Sequence, residues 1–198
     1  SSKIMTLNTR QQRQIDYYKQ QFKAEGNAHY LFACHAAFPV VFSVDMLHQL
    51  WANFNIIGDI KIPKVVISDF LLSNLCQEVG LGLYEFRDKA IRTALLHDLE
   101  QQFDKQHRNR LAAFLYQYAQ KHYNTPEYEN LKDTHQWTAL ATLNPQEAIQ
   151  KIGDAISKSV VENDDAEKMR IHSLLEEMVE VQPVLGEVLE VIEEVEKA

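Results

Sequence analysis

Eight histidines and two cysteines are the residues of this chain that could bind a metal ion or attack a substrate. His29, Cys34 and His35 are close in sequence, but their spacing does not place three ligands on one face of a helix. The CxxC, HxxxH and HExxH pairs of zinc sites do not occur in the chain. We therefore expect no metal and no cofactor, with a zinc site assembled from distant helices as the alternative.

A nucleophilic cysteine is the second chemistry that the sequence could support. Cys34 could take His48 or His97 as its base, but neither caspase-like nor papain-like sequence surrounds it, and a buried thiol is usually inert. We expect Cys34 and Cys76 to be reduced core residues, with a disulfide between them as the alternative. The sequence therefore predicts no catalytic residue and no enzyme, and it leaves the roles of Cys34, His35 and Cys76 unassigned.

The glycine pair Gly80 and Gly82 is the third pattern that could carry chemistry. It lacks the third glycine and the GK[ST] of a phosphate-binding loop, so it favours a turn. Pairs of carboxylates occur at the density expected of an acidic chain. Neither pattern predicts a catalytic site.

A cluster of polar side chains brackets the segment 80–86 and the start of the next helix. Its members are Glu78, Tyr84, Glu85, Arg87, Asp88 and Arg92. One interpretation is a structural corner held by ion pairs, and the other is a surface that docks a partner. On the second interpretation the candidate docking residues are Glu85, Arg87, Asp88 and Arg92.

The stretch Tyr30–Phe54 is the most apolar and aromatic part of the chain, and the other elements must cover it. Its first half is apolar on nearly every face, which is typical of a helix buried on all sides. Pro39 ends that helix, and Ser43 is a good cap for a second one. The inward stripe of the second helix is predicted to be Met46, Leu47, Leu50, Trp51 and Phe54.

Only 6 glycines and 5 prolines interrupt the 198 residues, which favours helices throughout. We predict a compact all-α domain of about eight to ten helices, with at most one small two-stranded β element. A helix of core residues, including Val65, is expected from Pro63 to about Val79. The segment 80–86 alternates polar and apolar residues, which is typical of a brief strand or a tight connector, and as a strand it could pair with the segment near Ile60.

The last part of the chain is acidic, with glutamates interleaved among aliphatic residues from Asp164 onward. This change predicts a helical core domain over residues 1–162 and an acidic helical extension over 163–198. After Pro183, valines at heptad spacing form a seam that needs a partner: the same domain, a second copy, or the rest of a longer polypeptide. These candidate docking residues are Val184, Val188, Val191 and Val195. The Ser-Ser start and the helical end lead us to expect a piece of a longer chain.

The net charge is −8, whereas nonspecific nucleic-acid binding needs a positive surface, so nucleic acid is an unexpected partner. No apolar run reaches the ~18 residues that span a bilayer, and no basic-then-apolar export signal opens the chain. We therefore expect a cytoplasmic protein that does not associate with membranes.

Four motifs in order resemble a helical domain of modular bacterial proteins, best known from cyanobacteria. They are HAAFP, the LHQLWANF helix, LCQEVGLGLYE and QWTALA before Pro145 and Glu147, and the resemblance covers about Tyr30 to Ser157. Such domains are similar to effector-associated or adaptor regions in signalling and conflict systems. They accompany caspase-like, TIR or nucleotide-switch domains, or formylglycine-generating-enzyme-like domains, which have a C-type-lectin fold. Some of these lectin-fold neighbours are variable proteins of diversity-generating retroelements. The resemblance implies a non-catalytic module whose neighbour binds or reacts, and it transfers no site residue.

Two functions follow as the first hypotheses, with an enzyme as the third. The first is a protein-interaction or adaptor domain that positions a linked effector or ligand-binding domain, with self-association through the C-terminal helix as a further expectation. The second is a nucleic-acid-binding regulator, because the region Pro63–Phe103 resembles a fragment of a winged helix and Lys105, His107, Arg108 and Arg110 form a small basic cluster. The acidic charge opposes the second hypothesis.

Overall fold

The computed structural model describes residues 6–197, with the side chains of residues 195 and 196 outside the description. Ten α-helices and five short strands form this part of the chain, so the predicted all-α class is confirmed. The helices are α1 Thr9–Gln21, α2 Ala28–Ala36, α3 Val44–Phe54, α4 Val66–Leu71, α5 Lys89–Gln102, α6 Lys105–His122, α7 Glu129–Leu143, α8 Pro145–Val161, α9 Asp165–Val179 and α10 Gly186–Lys197. The strands are β1 Phe42–Ser43, β2 Ile56–Ile57, β3 Ile60–Lys61, β4 Cys76–Gly80 and β5 Leu83–Phe86.

Contacts divide the chain into two compact units, the first ending at Asp104 and the second beginning at Lys105. Helices α9 and α10 belong to the same unit as α6, α7 and α8, and α9 packs on α8. The units therefore do not follow the change in composition on which the predicted boundary at 162/163 was based. The glutamates change the surface of these helices, whereas their aliphatic faces pack within the second unit.

The first unit begins with helices whose ends match the sequence signals. Asn8 caps α1: its side chain accepts a hydrogen bond from the Gln11 N–H at 2.8 Å, and the Gln11 side chain accepts one from the Asn8 N–H at 2.9 Å. Every residue of α2 is buried, as the apolar sequence predicts. Pro39 follows in an irregular turn, and Ser43 caps α3 through a 3.1 Å hydrogen bond from the Met46 N–H.

The β structure differs from the prediction of one two-stranded element. Strands β1, β5 and β4 form an antiparallel sheet in that order, and β2 pairs only with β3. The predicted pairing between the segment 80–86 and the strand near Ile60 is therefore wrong. Gly82, with φ at +73°, forms a tight turn that folds β5 directly back onto β4.

The helix after Pro63 is shorter than predicted, since α4 ends at Leu71 and β4 begins at Cys76. Ser73 provides the physical reason. Its hydroxyl donates to the Phe70 carbonyl at 2.7 Å and accepts from the Leu75 N–H at 3.2 Å, so a side chain replaces the backbone bonds that would continue the helix.

Four phenylalanines from different elements form the centre of the first unit. Phe70 of α4 lies 6.1 Å from the ring of Phe32, 5.5 Å from Phe42 and 5.5 Å from Phe86, measured between centroids. These distances are typical of edge-to-face and tilted aromatic pairs. Phe70 thus fixes α4 against α2, β1 and β5.

In the second unit, Arg170 of α9 connects that helix to α7. It donates to Glu167 at 2.8 and 2.9 Å and to the Thr134 hydroxyl at 3.0 Å, and its guanidinium lies 5.8 Å from the Trp137 ring centroid. The Arg170 hydrogen bond lowers the pKa of Glu167. Charged side chains that are half buried therefore help to fix the position of α9.

Candidate functional site

Arg92 belongs to the predicted docking cluster but is 5% exposed. Its Nε donates to the Ala37 carbonyl at 2.7 Å and its Nη2 to the Phe38 carbonyl at 2.9 Å. These carbonyls follow the end of α2, where no helical N–H can reach them. These bonds to backbone carbonyls, rather than to a carboxylate, give Arg92 a structural role, and its use in docking stays a prediction.

The other three candidate docking residues, Glu85, Arg87 and Asp88, surround the β4–β5 hairpin and the start of α5. Glu85 accepts a hydrogen bond from Gln77 at 3.0 Å, and the exposed Arg87 donates to the Cys76 carbonyl at 3.3 Å. Asp88 caps α5 through the Ala90 N–H at 2.9 Å and accepts from Gln11 at 3.0 Å. Each side chain thus has a local bond that stabilises the corner, and their use in docking stays a prediction.

The C-terminal valines do not share one environment. Val188 is buried in the second unit together with Leu185 and Ile192, whereas Val184 and Val191 are exposed. The side chain of Val195 lies outside the described residues. One edge of the aliphatic face of α10 therefore packs in cis, whereas Val191 on the other edge and Val184, just before the helix, are accessible.

Two buried histidines, His29 and His35, bond to nearby oxygen atoms. Nε2 of His29 lies 2.8 Å from Asp69 and its ring stacks on Phe22, while Nδ1 of His35 lies 2.7 Å from the Leu31 carbonyl. Across the residues that the structure describes, no cluster of three or more His, Cys, Asp or Glu side chains could hold a metal ion.

Both cysteines are free buried thiols, and burial is the main cause that raises the pKa of each to about 12. Cys34 also exchanges a hydrogen bond with Tyr30, whose hydroxyl donates to Asp98. At about pH 8 a thiol of pKa about 12 has roughly a thousandth of the thiolate of an ordinary cysteine, so it is a weak nucleophile.

We predict that a disulfide-exchange reagent at pH 8 labels neither Cys34 nor Cys76 in the native protein, because burial excludes the reagent and suppresses the thiolate. Labelling should become rapid and reach two thiols per chain in denaturant. Absorbance of the released thiolate follows the reaction. Rapid native labelling of Cys34 alone would contradict its buried position and reopen the nucleophile hypothesis.

A groove with a volume of about 580 Å³ lies between α3 and α4 of the first unit. We call it the α3–α4 groove, and it is lined by Val44, His48, Lys64, Val65, Ile67, Ser68, Leu71, Leu72 and Tyr84. Three of its apolar side chains are well exposed: Val44 at 43%, Val65 at 49% and Leu72 at 87%. An accessible apolar cluster of this kind is typical of a contact surface.

Lys64 provides the positive charge of this groove. Lys64 is exposed and lies 6.0 Å from the ring centroid of Trp51, whose indole N–H donates to the Ile62 carbonyl at 2.9 Å. His48 is half buried, and no carboxylate is among the described lining residues. The groove therefore combines apolar walls with positive charge.

The sequence did not predict this groove because Val65 was expected in the core of a long helix. In the structure Val65 precedes the first residue of a helix of 6 residues, whose buried side chains are Val66, Ile67 and Phe70. A helix this short offers too few repeats for periodicity to separate inward from outward residues. The available signal was Ser73, a residue that often ends a helix, directly after the pair Leu71-Leu72, of which Leu72 is exposed.

Comparisons of the chain with protein-family models, with curated proteins and with solved structures found no match. The resemblance to effector-associated domains therefore stays a prediction. Within residues 6–197, no helix is both long and apolar enough to cross a bilayer.

Proposed function

We propose that this chain is a non-catalytic protein-interaction module, an adaptor that positions a partner or a linked effector domain in the cytoplasm. The observation that supports it is the α3–α4 groove, where Val44, Val65 and Leu72 present exposed apolar surface. Such surface is costly in water unless a partner covers it. Its described lining contains Lys64 and no acidic residue, so the groove favours a partner with negative charge.

The connectivity of the first unit bears on the second hypothesis. A helix, α2, is followed by strand β1, helices α3 and α4 and strands β4 and β5, with sheet order β1-β5-β4. This order resembles that of a winged helix, in which the helix equivalent to α4 reads the major groove of DNA. The β2–β3 hairpin is an insertion between α3 and α4. Topology therefore favours a regulator more than the sequence alone did.

The surface of α4 favours a protein partner instead. Outward positions around this helix are Lys64, Val65, Ser68 and Leu72. A helix that reads DNA contacts several phosphates, and the single cation here cannot neutralise them. The exposed valine and leucine are instead suited to contact with apolar side chains of a protein. We therefore place protein binding first and nucleic-acid binding second.

We infer that the occupant of the α3–α4 groove is an acidic amphipathic helix. Its apolar residues at i, i+3 or i+4, and i+7 would cover Val44, Val65 and Leu72, and its carboxylates would lie near Lys64 and His48. A synthetic peptide of residues 183–197 of this chain is a suitable probe, because it alternates aliphatic residues with glutamates. Its use also tests self-association through the C-terminal helix.

We predict that the fluorescein-labelled peptide binds the protein with a Kd on the order of 10 μM, measured by fluorescence anisotropy. Val65→Asp and Leu72→Asp should each weaken binding about tenfold or more, because they bring a carboxylate into apolar contact and oppose the acidic peptide. Both positions are exposed, so the midpoint of thermal unfolding should stay unchanged.

Val161→Asp is the matched control, since Val161 is an exposed helical valine outside the groove. It should bind the peptide like the wild type. Equal binding by Val65→Asp and Val161→Asp would contradict the assigned surface. Tight, salt-dependent binding of a labelled duplex DNA, strengthened by Val65→Lys and absent for the peptide, would support the regulator instead.

A further inference from the structure

We propose that the first unit carries a second binding site, a surface groove on α1 that binds a nucleotide through its phosphates and its base. This α1 groove has a volume of about 520 Å³ and is lined by Thr9, Arg10, Arg13, Gln14, Tyr17 and Asn74. It shares no lining residue with the α3–α4 groove. The two proposals therefore rest on different residues and can fail separately.

The packing of α1 fixes which of its side chains face this groove. Ile15 and Tyr18 are buried, and the Tyr18 hydroxyl donates to the His29 carbonyl at 3.3 Å. On the same side Gln11 donates to Asp88 at 3.0 Å. Because positions 11, 15 and 18 define the inward face of the helix, positions 10, 13 and 17 must point outward. The rotation of α1 about its axis is thus set before any ligand binds.

The charge of the α1 groove is opposite to that of the chain as a whole. The chain has a net charge of −8, yet two guanidinium groups and no carboxylate are among the described lining residues. Arg10 and Arg13 make no hydrogen bond or ion pair within residues 6–197, whereas Asp16 accepts a bond from Gln12 at 3.0 Å. Two unneutralised arginines one helical turn apart form a fork that suits phosphate oxygens.

One further side chain indicates what the phosphate is attached to. Tyr17 is 61% exposed and follows Arg13 by one turn, so its ring can stack on a planar base whose phosphate lies on the arginines. The phosphate and the face of the base therefore each have a recognition group.

The test is isothermal titration calorimetry of the whole chain with ADP, pyrophosphate and adenosine as separate ligands. We expect ADP to bind with a Kd below about 1 mM, and pyrophosphate about tenfold more weakly because it lacks the stacking base. Adenosine should be weaker than ADP because it lacks the charge-assisted bonds. Undetectable binding of ADP at that concentration would overturn the proposal.

Substitutions separate the two halves of the site. Arg10→Gln and Arg13→Gln should each weaken the binding of ADP and of pyrophosphate by about tenfold. Tyr17→Ala should weaken the binding of ADP by about tenfold and leave pyrophosphate binding unchanged. Tyr17→Phe should bind ADP like the wild type. Lys61→Gln removes an exposed cation outside the groove and is the charge control.

Equal affinity for ADP and pyrophosphate, with no effect of Tyr17→Ala, would reduce the site to nonspecific anion attraction and overturn the nucleotide assignment. A loss of ADP affinity in Lys61→Gln as large as that in the arginine variants would overturn it too. All substituted side chains are exposed, so an unchanged thermal midpoint is expected and verifies folding in each variant. Peptide binding at the α3–α4 groove should be the same in the arginine variants, which distinguishes failure of this site from failure of the adaptor function.

Discussion

Arg92→Ala should lower the free energy of unfolding of the first unit by about 3 kcal/mol or more, measured by urea denaturation. Truncation removes the donors that bond the Ala37 and Phe38 carbonyls at 2.7 and 2.9 Å. No backbone N–H can replace them, because α2 ends at Ala36 and Pro39 has no donor. A buried carbonyl left without a partner costs about 1–3 kcal/mol, which applies in full to the buried Ala37 carbonyl and in part to the half-buried Phe38 carbonyl.

Arg87→Ala is the matched control for Arg92→Ala, because both arginines belong to the predicted docking cluster. Arg87 is exposed and makes one long bond, to the Cys76 carbonyl at 3.3 Å, so its loss should cost less than about 1 kcal/mol. Arg92→Lys should fall between wild type and alanine, since an ammonium lacks the planar fork. A stable Arg92→Ala variant that no longer bound the peptide would show that Arg92 docks a partner.

The parts of the fold that the sequence predicted correctly depend on local chemistry. Ser43 caps a helix wherever the chain places it, since its side chain bonds to the backbone N–H group three residues away. Pro39 ends a helix without help from any neighbour. The uniformly apolar α2 had to be buried because none of its faces suits water. These features need no knowledge of the tertiary structure.

The features that the sequence did not predict depend on contacts between distant segments. The pairing of β1 with β5 joins residues about forty positions apart, and alternation alone cannot name a strand's partner. Arg92 reads as a surface residue of an amphipathic helix until the two carbonyls beyond α2 are placed against it. Whether a polar residue lies on the surface or in the core depends on the groups that surround it in space. A single sequence does not show those groups.

Both proposed binding surfaces arise from side chains that the core leaves outside. Periodicity identifies the inward stripe of a helix, and it says little about outward residues such as Val65 or Tyr17. Their neighbours across the groove, Tyr84 and Asn74, come from other elements of the first unit. Locating them together therefore required the tertiary structure, although each residue type was visible in the sequence.

Phe70→Ala should lower the free energy of unfolding by about 3–5 kcal/mol, the range for deleting a buried aromatic side chain. The ring is fully buried and contacts Phe32, Phe42 and Phe86 at centroid distances of 5.5–6.1 Å. The substitution leaves a cavity where α4 meets the sheet, and a helix of 6 residues cannot hold its position by its own hydrogen bonds. Urea denaturation measures the loss.

Leu72→Ala is the control, because Leu72 lies just past the end of α4 but is 87% exposed, so its loss should cost less than about 0.5 kcal/mol. Both variants should weaken binding of the peptide probe, for different reasons. Leu72→Ala removes contact area without changing stability, whereas Phe70→Ala displaces the helix that forms the groove wall. Phe70→Leu refills most of the cavity and should recover much of both stability and binding. If Phe70→Ala were as stable as Leu72→Ala, the aromatic centre would not be what positions α4, and the groove would need another support.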